Sequence, residues 1–237
     1  MSRGTRPDIA FAVAKLARHV AKWSVDHDAA LERVYGYLKR TAGLGLFYKY
    51  RTHNYQSLTC PKVIVYTDSD HAGEVTTRRS TSGWVTLIAD GGTQGLIVDW
   101  GSKRQGCTAL STGEAEVVAL VDGVKRSGIP IWATSECTFG QKLKMTLRVD
   151  ATACEGAARK GRSPAMRYID KTQGIRLGWL ADLLNDAEGT NLEKWPTSMN
   201  QADLLTKPLS VEVTELHIKQ LGMRNNGVTV PGVGRSA

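Results

Sequence analysis

The stretch KVIVYTDSD, residues 62–70, sets Val63, Ile64, Val65, Tyr66 and Thr67 in one unbroken run ahead of two aspartates. A continuous run of this β-branched character marks a strand buried on both faces. Asp68 ends that strand. Asp70 is expected in the turn leading to Ala72-Gly73, where aspartate commonly bonds nearby backbone. Asp68 is thus assigned to chemistry and Asp70 to the turn.

Residues 84–88 and 96–100 supply two further strand patterns, separated by the turn signal Asp90-Gly91-Gly92, so the first three strands read as an antiparallel meander. Beyond them the pattern alternates. A helix is predicted from Ser111 to about Lys125, a strand over 145–149, helices over 151–159 and 168–185, a short strand over 192–195, and a helix from Asn200 onward. A meander followed by crossovers gives an α/β fold, a mixed sheet with helices against it. Upstream, Pro7 opens a helical pattern over 8–22 and a second runs from about 28 to 40. Between 41 and 61, two glycines, the aromatics Phe47, Tyr48 and Tyr50 and the pair Cys60-Pro61 mark a boundary. The chain therefore divides into a helical extension over 1–60, a main domain over 61–222 and a flexible tail over 223–237.

Three other acidic residues stand out beside Asp68. In STGEAE, Ser111 and Glu114 fit a capping box, which gives Glu114 a structural role. Glu116 lies about 200° around the helix from Glu114, beside the stripe Val117, Leu120, Val121 and Val124 that must face the sheet. A carboxylate there fits either a salt bridge to lysine or arginine or a functional site. Asp150 ends a strand and opens a helix, so it fits a site or an N-cap. Asp203 follows Asn200 by three residues, where the helix dipole alone favours an aspartate. Their joint arrangement is what these separate roles leave unexplained. Two carboxylates about 4 Å apart repel by roughly 4 kcal/mol at an effective dielectric of 20, so a cluster of four requires divalent cations.

Composition narrows the classes. The 237 residues carry a net charge of +8, which suits a polyanionic partner as readily as plain solubility. The four cysteines (Cys60, Cys107, Cys137 and Cys154) form no CxxC pair, which argues against a zinc knuckle and for reduced thiols inside the cell. The charged N-terminus does not read as a signal peptide, and no apolar run approaches membrane-spanning length.

In this order, the strings RPDIAFAVAKLAR, YTDSDHAG, RRSTSGWV, WGSKRQGCTALSTGEAE, VDATAC and NQADLLTKPL closely resemble the C-terminal region of copia-type LTR retrotransposon polyproteins, the end of the reverse transcriptase followed by its ribonuclease H domain. The resemblance covers about residues 6–209. It implies an RNase H-like fold, with a five-stranded mixed sheet whose first three strands are antiparallel, flanked by helices. It also implies a metal-dependent endonuclease that cuts the RNA strand of an RNA/DNA hybrid with two Mg²⁺ or Mn²⁺ ions. The family's four carboxylates fall on Asp68, Glu116, Asp150 and Asp203, with Asp68 between the ions, Glu116 and Asp150 on one side and Asp203 on the other. Residues 1–60 resemble the segment linking polymerase to ribonuclease H; no polymerase Tyr-x-Asp-Asp motif occurs, so the expected partners are a hybrid and a polymerase domain carried elsewhere. The resemblance places the protein inside the cell, in a cytoplasmic virus-like particle or in the nucleus.

Lys103, Arg104, Gln105, Ser111 and Thr112 precede the Glu116 helix and fit either phosphate binding at its N-terminus or a solvated basic loop. His71 stands where the family usually has an aromatic residue, and fits either the site or an exposed turn. The family's histidine-containing stretch is missing near Tyr168-Ile169-Asp170. Trp84, Trp100, Trp179 and Trp195 are expected in the core. Two other readings remain: an idle connection-type module that binds nucleic acid, and a nuclease of the same fold acting on another duplex.

Overall fold

A computed structural model describes residues 2, 4–47, 61–90, 95–163, 167–186 and 189–225. Tyr48, Tyr50, Cys60, Gly91, Gly92 and the tail after 225 lie outside the described residues.

The run around Val63 forms a ten-residue strand, and period-two alternation along it explains both layers of the molecule. The strands are β1 (Leu44–Leu46), β2 (Pro61–Asp70), β3 (Thr81–Asp90), β4 (Gly95–Arg104), β5 (Lys144–Val149), β6 (Thr190–Lys194) and β7 (Met223–Asn225). The helices are α1 (Ala10–Ala17), α2 (Val25–Arg40), α3 (Thr112–Gly123), α4 (Ile129–Phe139), α5 (Thr152–Lys160), α6 (Arg167–Asp186) and α7 (Val211–Gln220). One sheet has the order β4-β3-β2-β5-β6, with β2, β3 and β4 antiparallel and β5 and β6 parallel to β2, as the sequence pattern implies.

Val63 and Val65 point to one face, where α3, α5 and α6 close a core around Val117, Leu120, Met145, Leu147, Ile169, Leu177 and Leu180. Ile64 and Tyr66 point to the other, packed with Val85, Leu87, Trp100, Ala10 of α1 and the C-terminal residues Leu204, Leu205, Leu221 and Met223. The second face is therefore covered by the N-terminal helices together with the end of the chain. Arg148, buried on β5, gives its guanidinium to the Tyr66 hydroxyl at 2.6 Å, to Glu193 at 3.2 Å and to the face of Trp195, 3.7 Å from the ring centroid. That pairing closes the second face around a charge that would otherwise be costly to bury.

The structure departs from the sequence expectations in five places. The helical pattern over 8–22 is realised as a 3-10 turn, Pro7–Ile9, then α1 ending at Ala17, then a second 3-10 turn, Val20–Lys22. β2 runs through Asp70, so Asp70 is the last strand residue, with its carboxylate packed over Gly73, and not part of the following turn. The helix expected to stop near Lys125 passes through a π-helical stretch, Val124–Gly128, and continues as α4. The helix expected from Asn200 is a single 3-10 turn, Asp203–Leu205, with α7 starting only at Val211 after Pro208. Met223–Asn225, assigned to a flexible tail, pair antiparallel with Leu44–Leu46. The four tryptophans read as core are packed as expected, Trp84 and Trp100 each 5% exposed and Trp179 and Trp195 against the two clusters.

Candidate metal centre

Strand β2 delivers Asp68 to the end of the sheet at a register where β3 offers only Gly83 as its partner. A Cβ at Gly83 would stand 2.7 Å from Thr206 Cγ2 and 2.8 Å from the Ala202 carbonyl oxygen, so glycine there is what lets the 202–206 turn lie against the sheet. Asn200 fixes that turn from beneath: its amide donates to the Thr67 carbonyl at 2.9 Å and its Oδ1 accepts from the Ala202 amide at 3.2 Å. Thr206 then donates its hydroxyl to Asp68 Oδ2 at 2.5 Å.

Helix α3 brings Glu116 to the same place. Ser111 caps α3 by accepting from the Glu114 amide at 3.2 Å, and Glu114 turns back to accept from the Leu110 amide at 2.8 Å. Its other oxygen accepts from Thr172 and Gln173 of α6 at 2.8 and 2.9 Å. Glu114 is thus the structural glutamate. Burial opposes its charge, but these donors hold its carboxyl below the ordinary glutamate range. Glu116 meets no lysine or arginine among the described residues; Oε1 accepts from the amide and hydroxyl of Ser69 at 3.2 and 2.8 Å. Its Oε2 is buried with no hydrogen-bond partner among the described residues.

Asp150 follows β5 directly. It is not the N-cap of α5: Ala151 holds that position and no side chain caps the helix. One carboxylate oxygen from each of Asp68, Glu116 and Asp150 lies within 4.8 Å of the other two. The electrostatic cost of this grouping is visible in its protonation. Burial, with the charges of Asp203 and Asp150 adding to it, pushes Asp68 up to about 7 despite the Thr206 hydrogen bond. Glu116 is driven well above the ordinary range by burial and by the charges of Asp68 and Asp150. Three carboxylates so gathered, with Glu116 Oε2 buried and unpartnered, offer hard oxygen donors that fit a divalent cation such as Mg²⁺ or Mn²⁺.

Asp203 stands beside this group and not in it. It is ion-paired with Lys207, and His217 Nε2 lies 3.6 Å from its Oδ2. Although Asp203 is buried, its carboxyl is held below the ordinary range by these two partners. Its charge is nonetheless felt at Asp68. Lys207 and His217 were not anticipated. Lys207 carried a signal, since it sits four residues after Asp203. His217 carried none: it is 1% exposed inside α7, with Nδ1 3.0 Å from Gln220 Oε1.

The basic residues ahead of α3 divide. Lys103 pairs with Asp122 at 3.4 Å, and Arg104 pairs with Glu74 at 3.4 Å alongside Arg18 of the N-terminal extension at 3.2 Å. Gln105 is buried, donating to Ser82 at 3.0 Å and the Ala115 carbonyl at 2.9 Å, and is thereby turned inward. Thr112 is exposed at the first turn of α3 beside the capping Ser111. His71 is half-buried, with Nε2 3.1 Å from the Ala109 carbonyl.

No family model matches the chain. Among curated proteins it is similar to the Retrovirus-related Pol polyprotein from transposon TNT 1-94 of Nicotiana tabacum, 30% identical over 224 residues that cover 94% of this chain and 15% of the polyprotein. It is similar also to Secreted RxLR effector protein 161 of Plasmopara viticola, 35% identical over 130 residues, 55% of this chain and 81% of that protein. A third relative is the Retrovirus-related Pol polyprotein from transposon RE2 of Arabidopsis thaliana, 34% identical over 112 residues, 47% of this chain and 7% of the polyprotein. The chain thus spans only a small part of the Pol polyproteins it matches. Among solved structures, RNase H1 from Halobacterium salinarum NRC-1 aligns with TM-score 0.43 and 20% identity over 61% of this chain and 94% of that one. LC11-RNase H1 in complex with RNA/DNA hybrid aligns with TM-score 0.40 and 17% identity over 61% and 94%. Over 94% of its length the chain is thus similar to a retrovirus-related Pol polyprotein of a transposon, and its described residues carry a five-stranded mixed sheet with flanking helices.

Proposed function

We propose that this chain is a divalent-metal-dependent endonuclease that hydrolyses the RNA strand of RNA/DNA hybrids, as a step of retrotransposon reverse transcription. The observation that carries the proposal is the gathering of Asp68, Glu116 and Asp150 oxygens within 4.8 Å, with Glu116 Oε2 buried and unpartnered.

Asp68, Glu116 and Asp150 would hold one cation, with Asp68 shared toward a second on the Asp203 side. Bound divalent cations supply charge neutralisation, an activated water and stabilisation of the leaving 3′ oxygen. The protein residues do the positioning. Thr206 fixes the Asp68 carboxylate, Ser69 fixes Glu116, and the Lys207 and His217 contacts hold Asp203 ionised next to them. No side-chain nucleophile is required. Ser111 and Thr112 at the N-terminal end of α3, and Lys103 and Arg104 at the end of β4, fit phosphate contacts that position a duplex, Lys103 meeting α3 near its other end at Asp122; selectivity for the hybrid would come from 2′-hydroxyl contacts on its RNA strand. In this reading the N-terminal helices correspond to the connection segment of a reverse transcriptase, and Arg18, bonded to Glu74 and Thr81, anchors them beside the site.

The test is a panel of matched RNA/DNA hybrid, DNA duplex and RNA duplex given to wild type and Asp150→Asn with Mg²⁺ or Mn²⁺. Cleavage of the hybrid's RNA strand by wild type alone is expected. Salt-sensitive binding without product would make the chain an idle binding module, and cleavage of another duplex in preference would reassign the substrate.

A further inference from the structure

Glu116 has two carboxylate oxygens in different circumstances, and Ser69 is the reason. Ser69 sits between Asp68 and Asp70 on β2 and is 7% exposed. Its amide and its hydroxyl both donate to Oε1 of Glu116, at 3.2 and 2.8 Å. Oε2 has no partner among the described residues. The last torsion of a glutamate is broad and roughly two-fold, so nothing within the side chain itself holds the carboxylate plane. Two donors from one residue hold it. They commit one oxygen to the strand and leave the other as the atom available to a cation.

We infer that Ser69 is a positioning residue that sets the cation preference of this centre, by restricting Glu116 to one donor oxygen. The inference rests on the divalent-cation reading given above. Mg²⁺ demands near-ideal octahedral coordination, which one oxygen per carboxylate satisfies. Ca²⁺ takes six to eight oxygens and often both oxygens of one carboxylate. With Oε1 tied to Ser69, the two-oxygen mode is closed to Glu116. Without the hydroxyl, only the longer amide contact opposes rotation of the carboxylate, and the larger ion gains a ligand.

The experiment measures the rise in Tm of the whole chain with increasing MgCl₂ or CaCl₂, with no nucleic acid present, for wild type, Ser69→Ala, Ser69→Cys, Ser69→Thr and Glu116→Gln. Cation affinity is read from the concentration dependence of Tm. The ratio of Mg²⁺ to Ca²⁺ affinity is expected to fall about tenfold in Ser69→Ala, as for loss of a group that orients a metal ligand. Ser69→Cys, close in size with a weak donor, should shift in the same direction, and Ser69→Thr, which keeps the hydroxyl, should recover most of the wild-type ratio. An unchanged ratio in both Ser69→Ala and Ser69→Cys, or equal losses for the two ions, overturns the role of Ser69 while leaving the cation site standing. Absence of any cation response in wild type, or a full response in Glu116→Gln, overturns the cation site itself.

Discussion

Thr206 donates its hydroxyl to Asp68 Oδ2 across 2.5 Å, joining a turn near the C-terminus to the end of the central strand. Both residues are buried, so the bond is made to a carboxylate shielded from water. Thr206→Val keeps the shape and removes the donor. It should cost roughly 1.5–3 kcal/mol, the range for a hydrogen bond to a charged group, less where Asp68 is protonated. Urea denaturation at pH 8 and pH 5 checks this, with the larger loss expected at pH 8.

The carboxylate cluster makes stability depend on pH and on metal in linked ways. Asp68 titrates near 7 in the fold, above its ordinary 3.8, and Glu116 shifts upward too. Between those values the folded protein binds more protons than the unfolded chain, so this contribution is present below about pH 4 and is lost as pH rises through about 7. In EDTA, Tm should therefore decline between pH 5 and pH 8 relative to Asp68→Asn, which removes the charge. Mg²⁺ should raise the wild-type Tm at pH 8, raise it much less at pH 5, and leave Asp68→Asn nearly unmoved.

The two glutamates of α3 should separate by measurement. Glu114 binds the Leu110 amide, Thr172 and Gln173, and its carboxyl lies below the ordinary range, so its contribution is present above the unfolded pKa and is lost as pH falls through the lower folded value. Glu114→Gln should cost about 1.5–3 kcal/mol at pH 7 and keep the Mg²⁺ response. Glu116→Gln should cost little, or stabilise the metal-free protein, and lose the Mg²⁺ response. Thermal unfolding with and without MgCl₂ distinguishes them.

Gly83→Ala places a methyl group against the Ala202 carbonyl, a backbone atom that cannot step aside as a flexible side chain would. The expected cost is about 1–3 kcal/mol from overpacking. The displaced element is the turn that carries Asp203 and Thr206, so cation affinity should weaken as well. Chemical denaturation and a Mg²⁺ titration of Tm test the two effects separately.

The sheet was legible because its signals are local: the run at 63–67, the meander and the alternating crossovers each declare themselves within a few residues. Asp68, Glu116 and Asp150 were legible because strand ends and helix faces orient side chains predictably. The π-helical stretch was not. Gly128 and Pro130 are poor helix formers, yet the amide of Ile129 bonds the carbonyl of Val124 five residues back, and this wider turn carries the chain past a residue that cannot donate. The end of β2 was misjudged because Asp70 has a turn composition but a strand partner, Thr81. His217 was out of reach of any local pattern, since what brings it to Asp203 is the packing of α7.

The pairing of Leu44–Leu46 with Met223–Asn225 has a consequence for biosynthesis. The N-terminal helices are translated before the central sheet, yet the ribbon that joins Leu44–Leu46 to Met223–Asn225 is completed only by residues translated after it. A nascent chain would thus lack this tie until the central sheet has been made, and a cut just ahead of Met223 would remove it from the folded protein, leaving the contacts of Ala10 and Arg18 to hold the helices.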